Sequence, residues 1–191
     1  MGKKVYIAGP EVFFPNGKEI IARKGELARK YGFEANTFGG GDYPADKFAF
    51  GVAISKANED TMRGSDFILA NMTPFRGLST DVGTAYEIGF MCALGKAAFA
   101  YTNDPRFYDV RLTADYYGGD VARAEDGMMR GADGWMVEDH AMADNLMLDG
   151  GIVERGGIVA RAPEGPVLPW DDLSVYEQAL KAARAYFDKM A

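Results

Sequence analysis

Apolar residues along this chain alternate between short continuous runs and helical spacing. Val5–Ala8 is a short apolar run closed by Gly9-Pro10, which predicts a buried first strand and a turn. Ile20, Ile21, Leu27 and Ala28 then fall at helical spacing up to Tyr31-Gly32. Residues 33–38 read as a second strand and Gly39-Gly40-Gly41-Asp42 as a loop. A helix is predicted over Phe48–Arg63, with Ala53, Ala57 and Met62 facing inward. Asp66 opens a third strand that ends before Thr73-Pro74. A further helix stops near Gly95, and Ala97–Thr102 reads as a fourth strand. Strand alternating with helix predicts a parallel sheet covered on both faces: a single α/β domain, doubly wound in the flavodoxin or Rossmann manner.

The second half is less regular. Residues 104–140 read as an elaboration on the domain, a lid or an oligomer contact, with Tyr116–Asp120 loop-like and Glu125–Arg130 helical. Asp139–Leu148 is predicted as a helix, Gly157–Arg161 as a short strand and Pro163–Pro169 as a loop. Leu173–Met190 closes the chain as an amphipathic helix carrying Val175, Leu180, Ala183 and Phe187. With 191 residues, 48% of them hydrophobic, one core of this kind can be filled.

Charge narrows the partners. A formal net charge of −7 argues against a nucleic-acid polymer or an anionic membrane surface, and suits a small neutral ligand. No stretch approaches the roughly 20 apolar residues of a membrane span. Lys3-Lys4 leads into too short an apolar run for a signal peptide. Cys92 is the single cysteine, expected as a buried thiol, and fits a reducing compartment, so a cytoplasmic location is expected. The single histidine, His140, has no nucleophile context. Metal-ligand spacing, a G-x-G-x-x-G fingerprint and a P-loop are all missing, so neither metal nor cofactor is expected.

Candidate chemistry concentrates in Ser79–Phe90, where Asp81 and Glu87 flank Val82-Gly83-Thr84-Ala85-Tyr86 at the start of a helix. Small residues there let a ligand approach the backbone. Glu87 lies among Ile88, Phe90 and Met91, and a carboxylate against an apolar wall beside a second carboxylate suits attack on an anomeric carbon. Taken alone, the pair reads rather as a helix cap at Asp81 and a solvated Glu87.

The surrounding segments change that balance. Lys4-Val5-Tyr6-Ile7-Ala8-Gly9-Pro10 with Phe13-Phe14, Asp66–Met72, the Asp81–Glu87 motif, Ala93–Tyr101 and Asp144-Asn145-Leu146-Met147, in that order, resemble the nucleoside 2-deoxyribosyltransferase family. The resemblance covers most of residues 3–103, the Asn-Leu-Met segment and the last helix. It implies transfer of a 2-deoxyribosyl group from a 2′-deoxynucleoside to a free nucleobase, with Glu87 as nucleophile, retention of configuration and a role in nucleoside salvage. It further implies that Tyr6 orients Glu87 and that Asp66 helps protonate the leaving base. Asp81 would bind a sugar hydroxyl, and Gly9 would lie at the substrate site. Asn145 and Met147 would reach the sugar from a neighbouring subunit, in a homo-oligomer such as a dimer or a trimer of dimers. The alternatives are hydrolysis of deoxynucleosides or their 5′-monophosphates, and a non-catalytic nucleotide sensor. Glu11, next to the first turn, is expected to disfavour a phosphate.

Overall fold

The computed structural model describes residues 2–36 and 43–190. Five parallel strands form the central sheet: β1 (Lys3–Ala8), β2 (Phe33–Ala35), β3 (Phe67–Asn71), β4 (Ala97–Thr102) and β8 (Val159–Arg161). Their order is β2-β1-β3-β4-β8. The predicted strand over 33–38 is thus seen through Ala35, and the glycine loop at 39–42 lies outside the described residues. Helices α1 (Gly17–Lys30), α2 (Lys47–Arg63), α3 (Val82–Ala93), α5 (Leu146–Val153) and α6 (Ser174–Met190) flank the sheet.

Period-two alternation divides the strands between two cores. Val5, Phe67, Leu69, Phe99 and Tyr101 face α1 and α6, meeting Ile20, Ala28, Val175 and Leu180. Tyr6, Ala8, Ile68, Ala70, Ala98 and Ala100 face the other way, against Met62, Ile88, Met91 and Ile152. The first face is aromatic: Phe67 packs with Phe33, Phe99 and Phe187 at centroid distances of 4.8, 6.0 and 5.1 Å. The second is rich in alanine, so α3 lies close to the sheet and Tyr6 is the one large side chain there on β1.

The order of the strands reverses between β1 and β3, and ligands of doubly wound folds bind beyond the carboxyl ends of the strands at such a point. Gly9 ends β1 there, and a turn of 3₁₀-helix (Pro10–Phe13) follows. A Cβ on Gly9 would sit 2.1 Å from Glu11 Oε2, and one on Gly17 would sit 1.8 Å from the Glu11 carbonyl, so both positions need glycine for close approach.

Two predicted helices are corrected. Residues 125–130 are not helical: β5 (Val121–Arg123), β6 (Met129–Gly131) and β7 (Met136–Val137) form a small antiparallel sheet, reached through a short helix, α4 (Tyr108–Arg111), and a π-turn over Leu112–Tyr116. Asp126-Gly127 makes the β5–β6 turn, with Gly127 at φ 80° and the Met128 N–H donating to Asp126. The helix predicted over 139–148 begins at Leu146 instead. Ala143 N and Asp144 N donate to the Asp149 carboxylate, which pins the preceding stretch as a loop, and the Asn145 side chain caps the helix. Among the described residues no helix is long and apolar enough to cross a membrane.

Candidate active site

A cleft of about 530 Å³ opens at the carboxyl end of β1. Tyr6, Ile7, Ala8 and Gly9 form its floor, Val12, Phe13 and Lys18 one wall, and Asp81, Gly83, Thr84 and Glu87 the other. Each group is placed by its element. The Tyr6 side chain leaves β1 on the alanine-rich face, directly toward α3. Asp81 precedes α3, and its Oδ2 accepts from Thr84 N at 3.0 Å and Thr84 Oγ1 at 3.1 Å. The capping reading of Asp81 therefore holds, and the same residue borders the cleft. Glu87 follows less than two turns later and is half-buried.

The Tyr6 hydroxyl donates to Glu87 Oε1 at 2.5 Å, a short contact of the kind made to a charged acceptor. Burial raises the Glu87 carboxyl to a pKa of about 7, the Tyr6 hydrogen bond pulling it down and the nearby Asp81 charge pushing it up. Burial first, and then the Glu87 charge, push the Tyr6 phenol far above its ordinary value, so it remains a donor. A neighbouring cleft of about 260 Å³, bordered by Gly51, Ser55, Asn58 and Tyr86, also reaches Glu87.

Asp66 is elsewhere. The register Val5↔Phe67 sets it beside Lys4, whose N–H donates to Asp66 Oδ2 at 2.7 Å, while Lys3 Nζ lies 3.3 Å from Oδ1. That is the amino end of β3. At about 3.3 Å per residue the strand carries it about 15 Å from the end at which the cleft opens. A role in protonating a base is not available to it. Asn58 and Asn36 border the cleft instead, and sequence reasoning missed both. Asn58 sits on α2 one turn before Met62, so its inward position followed from the helical spacing.

Glu11 does not face the cleft. It is buried and ion-paired with the equally buried Lys24, and also accepts from Asn71 Nδ2 at 2.7 Å and Tyr101 Oη at 3.2 Å. Its charge is compensated internally, which removes the expected obstacle to a phosphate. The basic residue bordering the cleft is Lys18.

Asn145 and Met147 do not border their own chain's cleft. Asn145 caps α5, and Met147 is 73% exposed. Met147 lies on an apolar groove of about 500 Å³ between α3 and α5, lined by Ile88, Cys92 and Leu146. Cys92 is buried, as expected, with its thiol donating to the Gly151 carbonyl at 3.4 Å. The loop leading to Asn145 is tied back to the Asp81 loop, since Thr80 N and Oγ1 donate to Asp144 Oδ2 at 2.7 and 2.9 Å.

Residues 5–147 match the sequence profile described as nucleoside 2-deoxyribosyltransferase. The chain belongs to that family. A 2-desoxiribosyltransferase from Leishmania mexicana shares 30% identity and a TM-score of 0.59, over 98% of this chain and 97% of that one. A conserved protein from Enterococcus faecalis V583 shows the same fold at 19% identity and a TM-score of 0.53, covering 95% of this chain and 98% of its own. A Schizosaccharomyces pombe protein described as uncharacterized is 31% identical over 168 residues, 82% of this chain and 80% of its own. Family membership supports a nucleoside-modifying enzyme of the deoxyribosyltransferase type.

Proposed function

We propose that this protein transfers the 2-deoxyribosyl group of a 2′-deoxynucleoside to a free nucleobase, with Glu87 as covalent nucleophile. The observation that carries this reading is the Tyr6–Glu87 hydrogen bond at the switch point of the sheet. Tyr6 engages Oε1 and leaves Oε2 to attack C1′ of the sugar. The C1′–N bond breaks as the C1′–O bond to Glu87 forms, and the departing base takes up a proton. A nitrogen of the second base then attacks C1′, loses its proton and regenerates the Glu87 carboxylate. Two displacements at one carbon give retention. A 2-deoxy sugar lacks the electron-withdrawing 2′-hydroxyl, and the anionic Glu87 favours the cation-like transition state. Asp81 borders the cleft near Glu87 and is assigned a sugar hydroxyl. Gly9 is assigned close contact with substrate, because its backbone borders the cleft at the end of β1.

We also assign Asn145 and Met147 to a neighbouring subunit's cleft in a homo-oligomer. Their place on the α5 side, outside their own cleft, and the exposure of Met147 support that arrangement. Salvage of nucleosides in the cytoplasm is the proposed setting.

A second reading is hydrolysis of a deoxynucleoside 5′-monophosphate, with water in place of the acceptor base. It is favoured by Lys18 at the cleft and by the internal neutralisation of Glu11. Incubation with deoxyadenosine or its 5′-monophosphate, each with and without free hypoxanthine, separates the two. Transfer supports the first reading. Release of adenine from the monophosphate alone, whether or not hypoxanthine is present, establishes the second. Mass spectrometry of the quenched enzyme should place a deoxyribosyl adduct on Glu87, and an adduct on any other residue overturns the assignment of the nucleophile.

A further inference from the structure

The small antiparallel sheet of residues 121–137 ends in a contact that gives it a purpose. Immediately after β7, the Glu138 carboxylate reaches the start of α5 with both oxygens. Oε1 accepts from Asn145 Nδ2 at 2.7 Å and Oε2 accepts from Leu146 N at 3.0 Å. On the other side of the same carboxamide, Asn145 Oδ1 accepts from Met147 N at 3.1 Å. The Asn145 N–H donates to Asp144 Oδ1 at 2.8 Å, and Asp144 is itself buried.

A carboxamide offers two N–H donors and two oxygen lone pairs. Here one N–H and one lone pair are committed within the chain, leaving one of each for a ligand. An ionised carboxylate only accepts, so it also decides which end of the amide faces it. Turning Asn145 over would set Oδ1 against the negative Glu138 oxygens and Nδ2 against the Met147 N–H, losing both contacts. β7 supplies the anchor for this: Val137 is buried, while Glu138 beside it is half-buried and directed at α5.

We propose that Glu138 is a positioning residue, through which the inserted sheet sets the orientation of the Asn145 carboxamide and so the sugar contact that Asn145 offers to the neighbouring cleft. This rests on the cross-subunit role of Asn145 given above. It assigns residues 121–138 a function in the shared site without placing any of them on the substrate.

The test compares Glu138→Gln, Glu138→Ala, Asn145→Ala and the Glu138→Ala/Asn145→Ala double variant in the full-length protein. Deoxynucleoside and acceptor base are the substrates, with thermal midpoints recorded alongside. Glu138→Ala should lower kcat/KM about tenfold, mainly through KM, the scale of a hydrogen bond to a charged group. Glu138→Gln keeps the volume but no longer dictates the amide's orientation, and should fall between Glu138→Ala and the parent. Glu138→Ala should cost nothing further once Asn145 is alanine. The Asn145 side-chain NH₂ resonance should move in both single Glu138 variants. Losses that multiply in the double variant, or parental kinetics of Glu138→Ala beside a crippled Asn145→Ala, overturn the proposal and leave the role of Asn145 intact. Full activity of Asn145→Ala overturns the shared-site reading instead. Glu138 is then judged on the Asn145 resonance, and an unmoved resonance overturns its positioning role as well.

Discussion

At Glu87 the protein holds a carboxyl group whose proton leaves near pH 7, well above the ordinary carboxylate range. The proposed chemistry needs the anion, so kcat/KM for transfer should fall on the acid side of about pH 7. Tyr6 pulls that pKa down by donating to the charged form. Tyr6→Phe should therefore move the acid limb to higher pH as well as lower the plateau. A limb that stays in place or moves down would separate Tyr6 from Glu87 ionisation.

The same shift bears on stability. Because the folded pKa lies above the unfolded one, the folded state binds more protons between about pH 4.5 and 7, and stability falls as pH rises through that window. Glu87→Gln removes this dependence. At pH 8 it should stabilise the fold by on the order of 2 kcal/mol, with the gain fading as pH falls from about 7 and gone below about 4.5, where the carboxyl is protonated in both states. Urea unfolding at the two pH values measures it. An active carboxylate is thus expected to cost the protein stability, as functional groups often do.

At the scale of the element, the 3₁₀ turn between β1 and α1 supplies Val12 and Phe13 to the cleft. What fixes the turn lies beneath it. Glu11 is paired with Lys24 of α1, whose ammonium lies 5.1 and 5.4 Å from the Tyr101 and Tyr176 ring centroids. Burial lowers the Lys24 pKa and the Glu11 charge opposes that. Lys24→Met should leave an uncompensated buried carboxylate and destabilise by about 3–5 kcal/mol. Combining it with Glu11→Gln should recover most of the loss. Equal unfolding midpoints for Lys24→Met and the parent would show that the pair is not what secures the turn.

At the scale of the whole molecule, the cleft and the Asn145 segment are joined back to back through Thr80 and Asp144. If neighbouring subunits complete each other's sites, an inactive Glu87→Ala chain and an inactive Asn145→Ala chain should regain activity when mixed. A hybrid site can combine an intact Glu87 from one chain with an intact Asn145 from the other. Native mass spectrometry of the mixture verifies exchange, and exchange without recovered activity would mean that each chain builds its whole site alone.

Local pattern was sufficient for much of this molecule. Apolar runs and helical spacing located the central strands and the helices at α1, α2, α3 and α6, because burial on both faces of a parallel sheet imposes those periods directly on the residues. The Asp81–Glu87 spacing marked a cap and a partly apolar carboxylate for the same reason: both properties belong to one helix and its first turn. Tertiary structure alone decided what depends on register and on partners distant in sequence. Asp66 is a different case: it opens β3, so its place at the amino end, away from the ligand, followed from the strand's direction, and only the family resemblance had given it a role in the cleft. Glu11 was neutralised by a lysine on the following helix, and residues 121–137 paired as strands through contacts that a helical reading of 125–130 does not contain. The bond from Glu138 to Asn145 spans the loop between β7 and α5, and only the fold closes that distance.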